Sequence, residues 1–476
     1  MFKQTRYFLR SMVHNVPKND PPRCSTTATA TPDPRPIDVF ILPESVDYDS
    51  LVDRAEREQE ESETSIAEDL GTSTHTVTEA TPPTTLPLET RAMPGHQHLS
   101  HRHWKRHLKR KAEDASQEDN YIPSQRTLEK AIKTAKTIDL ADIDAANFDA
   151  AKGAHTGKRG TQKTYGTKAE KEKEYTLQEL IGLGYFHIPW DGIHPLLIVD
   201  CKGRIITILA GRPDRDDFTR DILGLFDAMM SVSRERKWEE DMDEVHKRGW
   251  FHAFNRGVTM GMGSPVPVQL SNGEEIDAVL TRLLSLPGFQ RLNGYHNSVV
   301  KLWAPRLHAT YRDTVEKMYK KLEGLSRNFP RSIFTAAAFN FGGQVRTIQH
   351  RDHMNWPFGL CVITAMGRFD AKRSGHLVLK EFKLVIDFPH AATAAIPSAC
   401  ITHFNTAIHP DDTRTSFTQY TAGAIFRWVE NGFRTERAIK ESDFVEWQTI
   451  QDRKDTVVAE RLKLYSKVDE ILVHVE

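Results

Sequence analysis

The stretch from Arg331 onward constrains the fold most. Seven short apolar runs follow one another there: "SIFTAAAFNF", "LCVITAM", "HLVLKEF", "LVIDF", "TAAIP", "THFNT" and "RTSFTQYTA". Gly, Pro and Asp turn residues separate them, and regular short strands of this kind indicate a jelly-roll or barrel. Upstream, "PLLIVDCKGRIITILAG" sets two apolar runs around Cys201-Lys202-Gly203, the pattern of a β-hairpin. Phe218, Ile222, Leu225, Phe226 and Met229 recur at helical spacing, as do Tyr311, Val315, Met318, Tyr319 and Leu322. Such stripes serve core packing rather than a cofactor. "RGVTMGMGSP" lacks the glycine spacing of a phosphate or dinucleotide loop and reads as a turn-rich connection.

Ahead of Tyr175 the texture is different. Pro, Thr, Glu, Ser and Lys dominate with few periodic apolar positions, so residues 1–174 are expected to be largely disordered. Three features mark this region. Lys3, Arg6 and Arg10 precede any acidic residue, a weak transit-peptide-like pattern. "HRHWKRHLKRKAED" resembles a nuclear-import signal or a flexible tract that touches nucleic acid, and the basic stretch from Lys152 to Lys173 adds phosphate attraction without reading sequence. The expected division is therefore 1–174, a helical and hairpin part over 175–330, a β core over 331–436, and a closing helix within 437–476. The expected location is nuclear, with mitochondrial or cytoplasmic placement as alternatives.

Composition excludes little. Lys plus Arg (64) nearly cancels Asp plus Glu (65), so any basic surface is local. Cys24, Cys201, Cys361 and Cys400 are too scattered for a disulfide framework or zinc knuckle. No apolar run approaches the length of a membrane span.

The chemistry centres on "HRDHMNWPFG", His350 to Gly359. A kinase catalytic loop would need Asn five residues after its Asp, where this chain has Pro357, and no glycine-rich strand turn or V-A-I-K strand lies upstream. The alternative is an iron site. Non-haem iron oxygenases hold Fe(II) on two His and one carboxylate, leaving three positions open. On a strand, His350 and Asp352 would point the same way. A third ligand must return after several short strands, on the order of 40 to 60 residues later. His403, 51 residues past Asp352 inside "THFNT", fits that interval. His353 is too near, His376 comes early, and His390 and His409 sit beside prolines; these read as capped or surface histidines. Arg414 lies 11 residues after His403, and period-2 alternation places Arg414, Ser416, Thr418 and Tyr420 on one face. A guanidinium there suits the distal carboxylate of 2-oxoglutarate, and the Ser416 hydroxyl can add to it.

With these residues in place, the segment from about Tyr175 to Arg434 resembles the TET/JBP group of Fe(II)- and 2-oxoglutarate-dependent dioxygenases, specifically the large fungal, transposon-associated subgroup. The stretches that carry it are "LIGLGYFHIPWDG", "HRDHMNWPFGLCVITAMGRFD", "GHLVLKEFKLVIDFP", "IPSACITHFNT", "TRTSFTQYTAG" and "FRWVENGF". The resemblance implies an α+β chain with a double-stranded β-helix and supporting helices. It implies Fe(II), 2-oxoglutarate and O2 used to oxidise the methyl group of a 5-methylpyrimidine in DNA, with 5-methylcytosine the leading candidate. The target base would flip out of the duplex. Two substrate positions match the family pattern, Asn355 against the base and Tyr420 stacking on it. The base-contacting His of animal enzymes is Ala422 here. That departure leaves cytosine, thymine, N-methylated adenine and RNA open as substrates. A catalytically silent DNA or chromatin module with the same fold, and an oxygenase acting on protein or a small molecule, remain the alternatives.

Overall fold

The computed structural model describes residues 125–151, 153–238, 248–261 and 263–473. The basic start, an acidic stretch from Glu56 to Asp69, the 102–111 basic tract and Cys24 lie outside the described residues. The strands are β1 (Lys136–Leu140), β2 (Ala150–Ala151), β3 (Thr156–Gly157), β4 (Phe186–Ile188), β5 (Leu196–Asp200), β6 (Ile205–Gly211), β7 (His252–Thr259), β8 (Val268–Gln269), β9 (Ala336–Phe341), β10 (Cys361–Arg368), β11 (Leu377–Leu379), β12 (Leu384–Ile386), β13 (Thr393–Ile396), β14 (His403–Asn405) and β15 (Thr413–Tyr420). The helices are α1 (Gln125–Thr134), α2 (Gln162–Tyr165), α3 (Lys168–Glu172), α4 (Leu177–Gly182), α5 (Asp216–Glu235), α6 (Glu274–Leu284), α7 (Pro287–Trp303), α8 (Pro305–Lys321), α9 (Gly423–Glu430), α10 (Glu436–Ser442), α11 (Phe444–Leu462) and α12 (Val468–Val473). Among the described residues no helix is long and apolar enough to cross a membrane.

The architecture is mixed α+β. A nine-stranded sheet runs β1-β5-β6-β13-β10-β15-β9-β7-β8, and every pairing in it is antiparallel except β1 with β5. A smaller sheet runs β14-β11-β12-β4. From Ala336 to Tyr420 the chain passes repeatedly between the two: β9 and β10 in the large sheet, β11 and β12 in the small one, then β13, β14 and β15 in turn. Because side chains alternate faces, one face of each strand points into the space between the sheets.

The helices cover the large sheet. In α5 the stripe Phe218, Ile222, Leu225, Phe226 and Met229 is buried throughout, and α8 buries Tyr311, Val315 and Met318. Each fully buried large apolar side chain contributes roughly 1.5–3 kcal/mol relative to exposure, so these stripes hold helix to sheet. The hairpin expected around Cys201 is β5/β6, with Gly203 at φ +73° donating its amide to the Asp200 carbonyl.

Three segments differ from the sequence expectation. Helices and strands are already present from Gln125, ahead of Tyr175. The intervening segment adds β1 to the large sheet and buries only scattered apolar residues, Ile132, Ala135, Ala145 and Ala154, in the main core, so it carries little apolar periodicity, and polar contacts with the β core complete its attachment. Gly157 donates its amide to the His353 carbonyl (2.7 Å), the Arg351 amide donates to the Tyr165 hydroxyl (3.0 Å), and Gln349 donates Nε2 to the Glu170 carbonyl (2.9 Å). Thr167 and Glu170, and likewise Thr176 and Glu179, cap α3 and α4 reciprocally, a T-x-x-E signal present in the sequence. Second, Arg256–Thr259 of the glycine-containing stretch belongs to β7, paired with β9 and β8, so only its distal half is a connection. Third, the tail forms α10, α11 and α12 rather than one helix.

Candidate metal centre

His403 opens β14, and its backbone forms an isolated antiparallel bridge with His350. Each residue donates its amide to the other's carbonyl, at 3.2 and 3.0 Å. This pairing brings two imidazoles from segments 53 positions apart to a ring separation of 4.2 Å. The chain then leaves extended geometry. Asp352 does not follow His350 along a strand; it begins a turn, donating its amide to the Ser398 carbonyl and accepting from the Asn355 amide. The turn swings the carboxylate towards both rings, with Oδ1 3.9 Å from His350 Nε2 and Oδ2 3.8 Å from His403 Nε2. The three donor atoms lie within 4.8 Å of one another.

The ring orientation is fixed from behind. His350 Nδ1 faces the Ile348 carbonyl at 2.8 Å and His403 Nδ1 faces the Ile401 carbonyl at 3.0 Å. A carbonyl only accepts, so each Nδ1 carries the proton and each Nε2 presents a lone pair inward. Burial lowers the pKa of both imidazoles; for His350 the neighbouring His403 lowers it further. Burial acts to raise that of Asp352, but Arg248 and the two imidazoles outweigh it and hold the carboxyl at about 2. At neutral pH the set is two neutral nitrogens and one carboxylate. Donor atoms around a metal at about 2.1 Å sit about 3 to 3.5 Å apart, so a cation is accommodated by side-chain shifts on the order of 1 Å.

The remaining wall comes from β9, β10 and β15 of the large sheet and β11 of the small one. Arg414, Ser416, Thr418 and Tyr420 alternate along β15 and all line this cavity, as do Asn355, His350, Asp352 and His403. The seven side chains singled out from the sequence as ligands and contacts are therefore brought to one space. Arg414 is 1% exposed. Its Nη1 donates to the Val345 carbonyl at 3.2 Å, its Nε has no hydrogen-bond partner, and no Asp or Glu among the described residues lies within ion-pair distance. Burial alone lowers its pKa, to about 10, so it remains protonated at neutral pH. Gly375, at φ +71°, makes room for it: a Cβ there would sit 2.7 Å from Arg414 Cδ.

Ser416 Oγ accepts from Asn340 Nδ2 at 2.8 Å, which leaves its own proton to give. Asn355 Nδ2 donates to Ser398 Oγ at 3.2 Å, and the Tyr420 hydroxyl donates to Asn255 Oδ1 at 2.8 Å. Sequence reasoning missed Arg248, whose Nη2 is 2.6 Å from Asp352 Oδ1, and missed Asn340 and Asn255. Asn340 had a signal, being the lone polar residue in "AAAFNF"; Arg248, a hundred residues upstream of Asp352, had none.

No protein-family model matches the chain, and no curated protein matches it. Among solved structures, NgTET1 in complex with 5mC DNA is 11% identical with a TM-score of 0.33, over 49% of this chain and 79% of that one. An oxidoreductase of the 2OG-Fe(II) oxygenase family from Burkholderia pseudomallei is 13% identical with a TM-score of 0.23, over 40% and 78%. At these scores neither likeness carries weight beside the chain's own side chains.

Proposed function

We propose that this chain is an Fe(II)- and 2-oxoglutarate-dependent oxygenase of TET/JBP type, built on a double-stranded β-helix, that oxidises the methyl group of a 5-methylpyrimidine in DNA, 5-methylcytosine first, in the nucleus. The observation that carries it is the pairing of two unlike sites in one cavity: a two-His, one-carboxylate donor set, and a fully buried guanidinium with no acidic partner among the described residues. The donor set suits a ferrous ion with open positions, and the lone cation calls for an anion brought by a ligand.

His350, Asp352 and His403 would hold the iron, which with O2 as oxidant and 2-oxoglutarate as two-electron donor would supply the power to hydroxylate a methyl C–H bond, one oxygen atom going to the methyl carbon and the other to succinate, with carbon dioxide released. Arg414 would pair with the distal carboxylate of 2-oxoglutarate, and the Ser416 hydroxyl would donate to the same group. The carbonyls of Ile348 and Ile401 keep both imidazoles in the ligating tautomer. Asn355 and Tyr420, each anchored by a hydrogen bond in the cavity wall, would meet the base. A base reaches so enclosed a centre only when flipped from the stack. The test is mass spectrometry of nucleosides after incubating the protein with Fe(II), 2-oxoglutarate and DNA or RNA carrying 5-methylcytosine, thymine or N6-methyladenine. A hydroxymethyl product on a DNA pyrimidine with matching succinate is expected. Succinate release unaffected by every nucleic acid would refute the substrate class, and no succinate under any condition would refute the chemistry.

A further inference from the structure

His376 reads in the sequence as a capped or surface histidine, but it is fully buried and lies on the far side of the small sheet from the iron cavity. The alternation of β11 shows this. Leu377 lines the cavity, whereas Val378 packs with Val385, Phe404 and Leu180 on the outer face. His376 shares the parity of Val378; Asp387 shares that of Val385 on β12. His187 on β4 stands directly opposite Val385 in the parallel β12/β4 pairing. Three strands thus deliver two imidazoles and a carboxylate to one point on the outer face.

Their geometry is that of a donor set. His187 Nε2 lies 2.7 Å and His376 Nε2 3.4 Å from the same oxygen, Asp387 Oδ1, and the three donor atoms fall within 4.8 Å of one another. Thr406 Oγ1, which already accepts the His376 amide at 3.0 Å, contacts His376 Nδ1 at 2.8 Å and fixes the ring. His376 Nε2 is buried, points into the cluster and has no aligned hydrogen-bond partner. Ligands on a tetrahedral zinc at about 2.0–2.1 Å are about 3.3 Å apart, close to the His376–Asp387 separation as it stands. Solvent reaches the cluster past His187, whose side chain is 29% exposed, which leaves a route for the ion and a position for water.

We propose that His187, His376 and Asp387 form a second metal site, structural rather than catalytic, for a divalent transition cation of the zinc class. β4 is a three-residue edge strand, and this ion would tie it to β12 and β11, the latter paired with β14, which presents His403. The inference does not depend on the iron site, and its test keeps the two apart.

Full-length protein is stripped with chelator and titrated with Zn2+ against a chromophoric competitor, with His350→Ala/His403→Ala as the parent so that the inner site is silent. Relative to that parent, His187→Gln and Asp387→Asn should each lose one equivalent of bound Zn2+, a difference that is independent of any Zn2+ taken up by His96, His98, His101 and His103 of the N-terminal region, which all these variants share. Zn2+ should raise the melting temperature of the parent and leave both further variants unmoved, and Co2+ in the parent should show the intense visible absorption of four-coordinate cobalt. His187 is half-buried and its replacement is expected to fold, so an unfolded Asp387→Asn protein does not spoil the comparison. Unchanged stoichiometry in His187→Gln, or a parent whose melting temperature ignores Zn2+, overturns the proposal.

Discussion

Arg414 is where the proposed chemistry and the stability of the empty protein pull in opposite directions. A guanidinium held protonated with its pKa lowered from 12.5 to about 10 by burial carries a penalty of roughly 3 kcal/mol, at about 1.4 kcal/mol per tenfold change. Against it stand one hydrogen bond to the Val345 carbonyl, contributing about 1 kcal/mol, and the faces of the Phe369 and Phe388 rings, 5.7 and 5.9 Å from the guanidinium carbon, contributing about 0.5–1 kcal/mol each. Arg414→Met keeps most of the volume between the Phe369 and Phe388 rings and removes the charge. The ligand-free variant should therefore be as stable as the parent or up to about 1 kcal/mol more stable. The same change removes a charge-assisted, two-pronged contact with the distal carboxylate of 2-oxoglutarate. A loss of about 3 kcal/mol there corresponds to roughly 100-fold weaker binding. Urea denaturation of the metal-free proteins gives the first quantity, and calorimetric titration of 2-oxoglutarate with Mn2+ as a redox-silent occupant gives the second. A variant several kcal/mol less stable than the parent, with 2-oxoglutarate affinity unchanged within about threefold, would mean that Arg414 is a structural cation with a partner of its own.

Gly375→Ala should act on the same contact indirectly, since its Cβ would meet Arg414 Cδ at 2.7 Å on a backbone at φ +71°; KM for 2-oxoglutarate should rise about tenfold with Zn2+ or Mn2+ binding unchanged, read by steady-state succinate assay. Acid should destabilise the metal-free protein early. His296, wedged between Gln419 and Thr364 with its pKa lowered by burial to about 3, and the His350–His403 pair all stay neutral when folded, whereas the unfolded chain takes up protons below about 6.5. Stability should fall by up to about 1.4 kcal/mol per pH unit for each such histidine, with Asp352 adding its loss only between about 3.8 and about 2; a urea midpoint independent of pH from 7 to 5, taken as an order-of-magnitude window, would contradict this. Finally, deleting residues 1–174 removes the contacts of Gly157, Tyr165 and Glu170 with the 349–353 segment and the Arg351–Asp149 ion pair, and should lower the melting temperature by several degrees relative to deletion of 1–124. Equal melting temperatures would show that this segment adds nothing.

What could be read from the sequence follows from which interactions leave a local period. The α5 stripe and the row Arg414, Ser416, Thr418, Tyr420 do, because burial repeats with the helix at 3.6 and with the strand at 2. His403 comes to lie beside His350 and Asp352, and the interval from Asp352 that pointed to it measures how many short strands the chain needs to come back. The interactions that close the cavity leave no such trace. Asp352 reaches the two imidazoles because the chain turns at 352–355, not because a strand continues, so the two HxD side chains come together for a different geometric reason than the spacing suggested. Arg248 reaches Asp352 from the segment leading into β7, and Asn340 meets Ser416 through the β9/β15 register. Both contacts are set by tertiary pairing, and only Asn340, the lone polar residue of "AAAFNF", stands out in its own stretch. His376 shows the cost of treating each histidine singly: set aside for its distance from Asp352, it is buried beside a carboxylate 11 residues on and a second imidazole 189 residues back. Metal-like clusters are properties of sheet register, and register across three strands is the part of this fold that no window of the sequence contains.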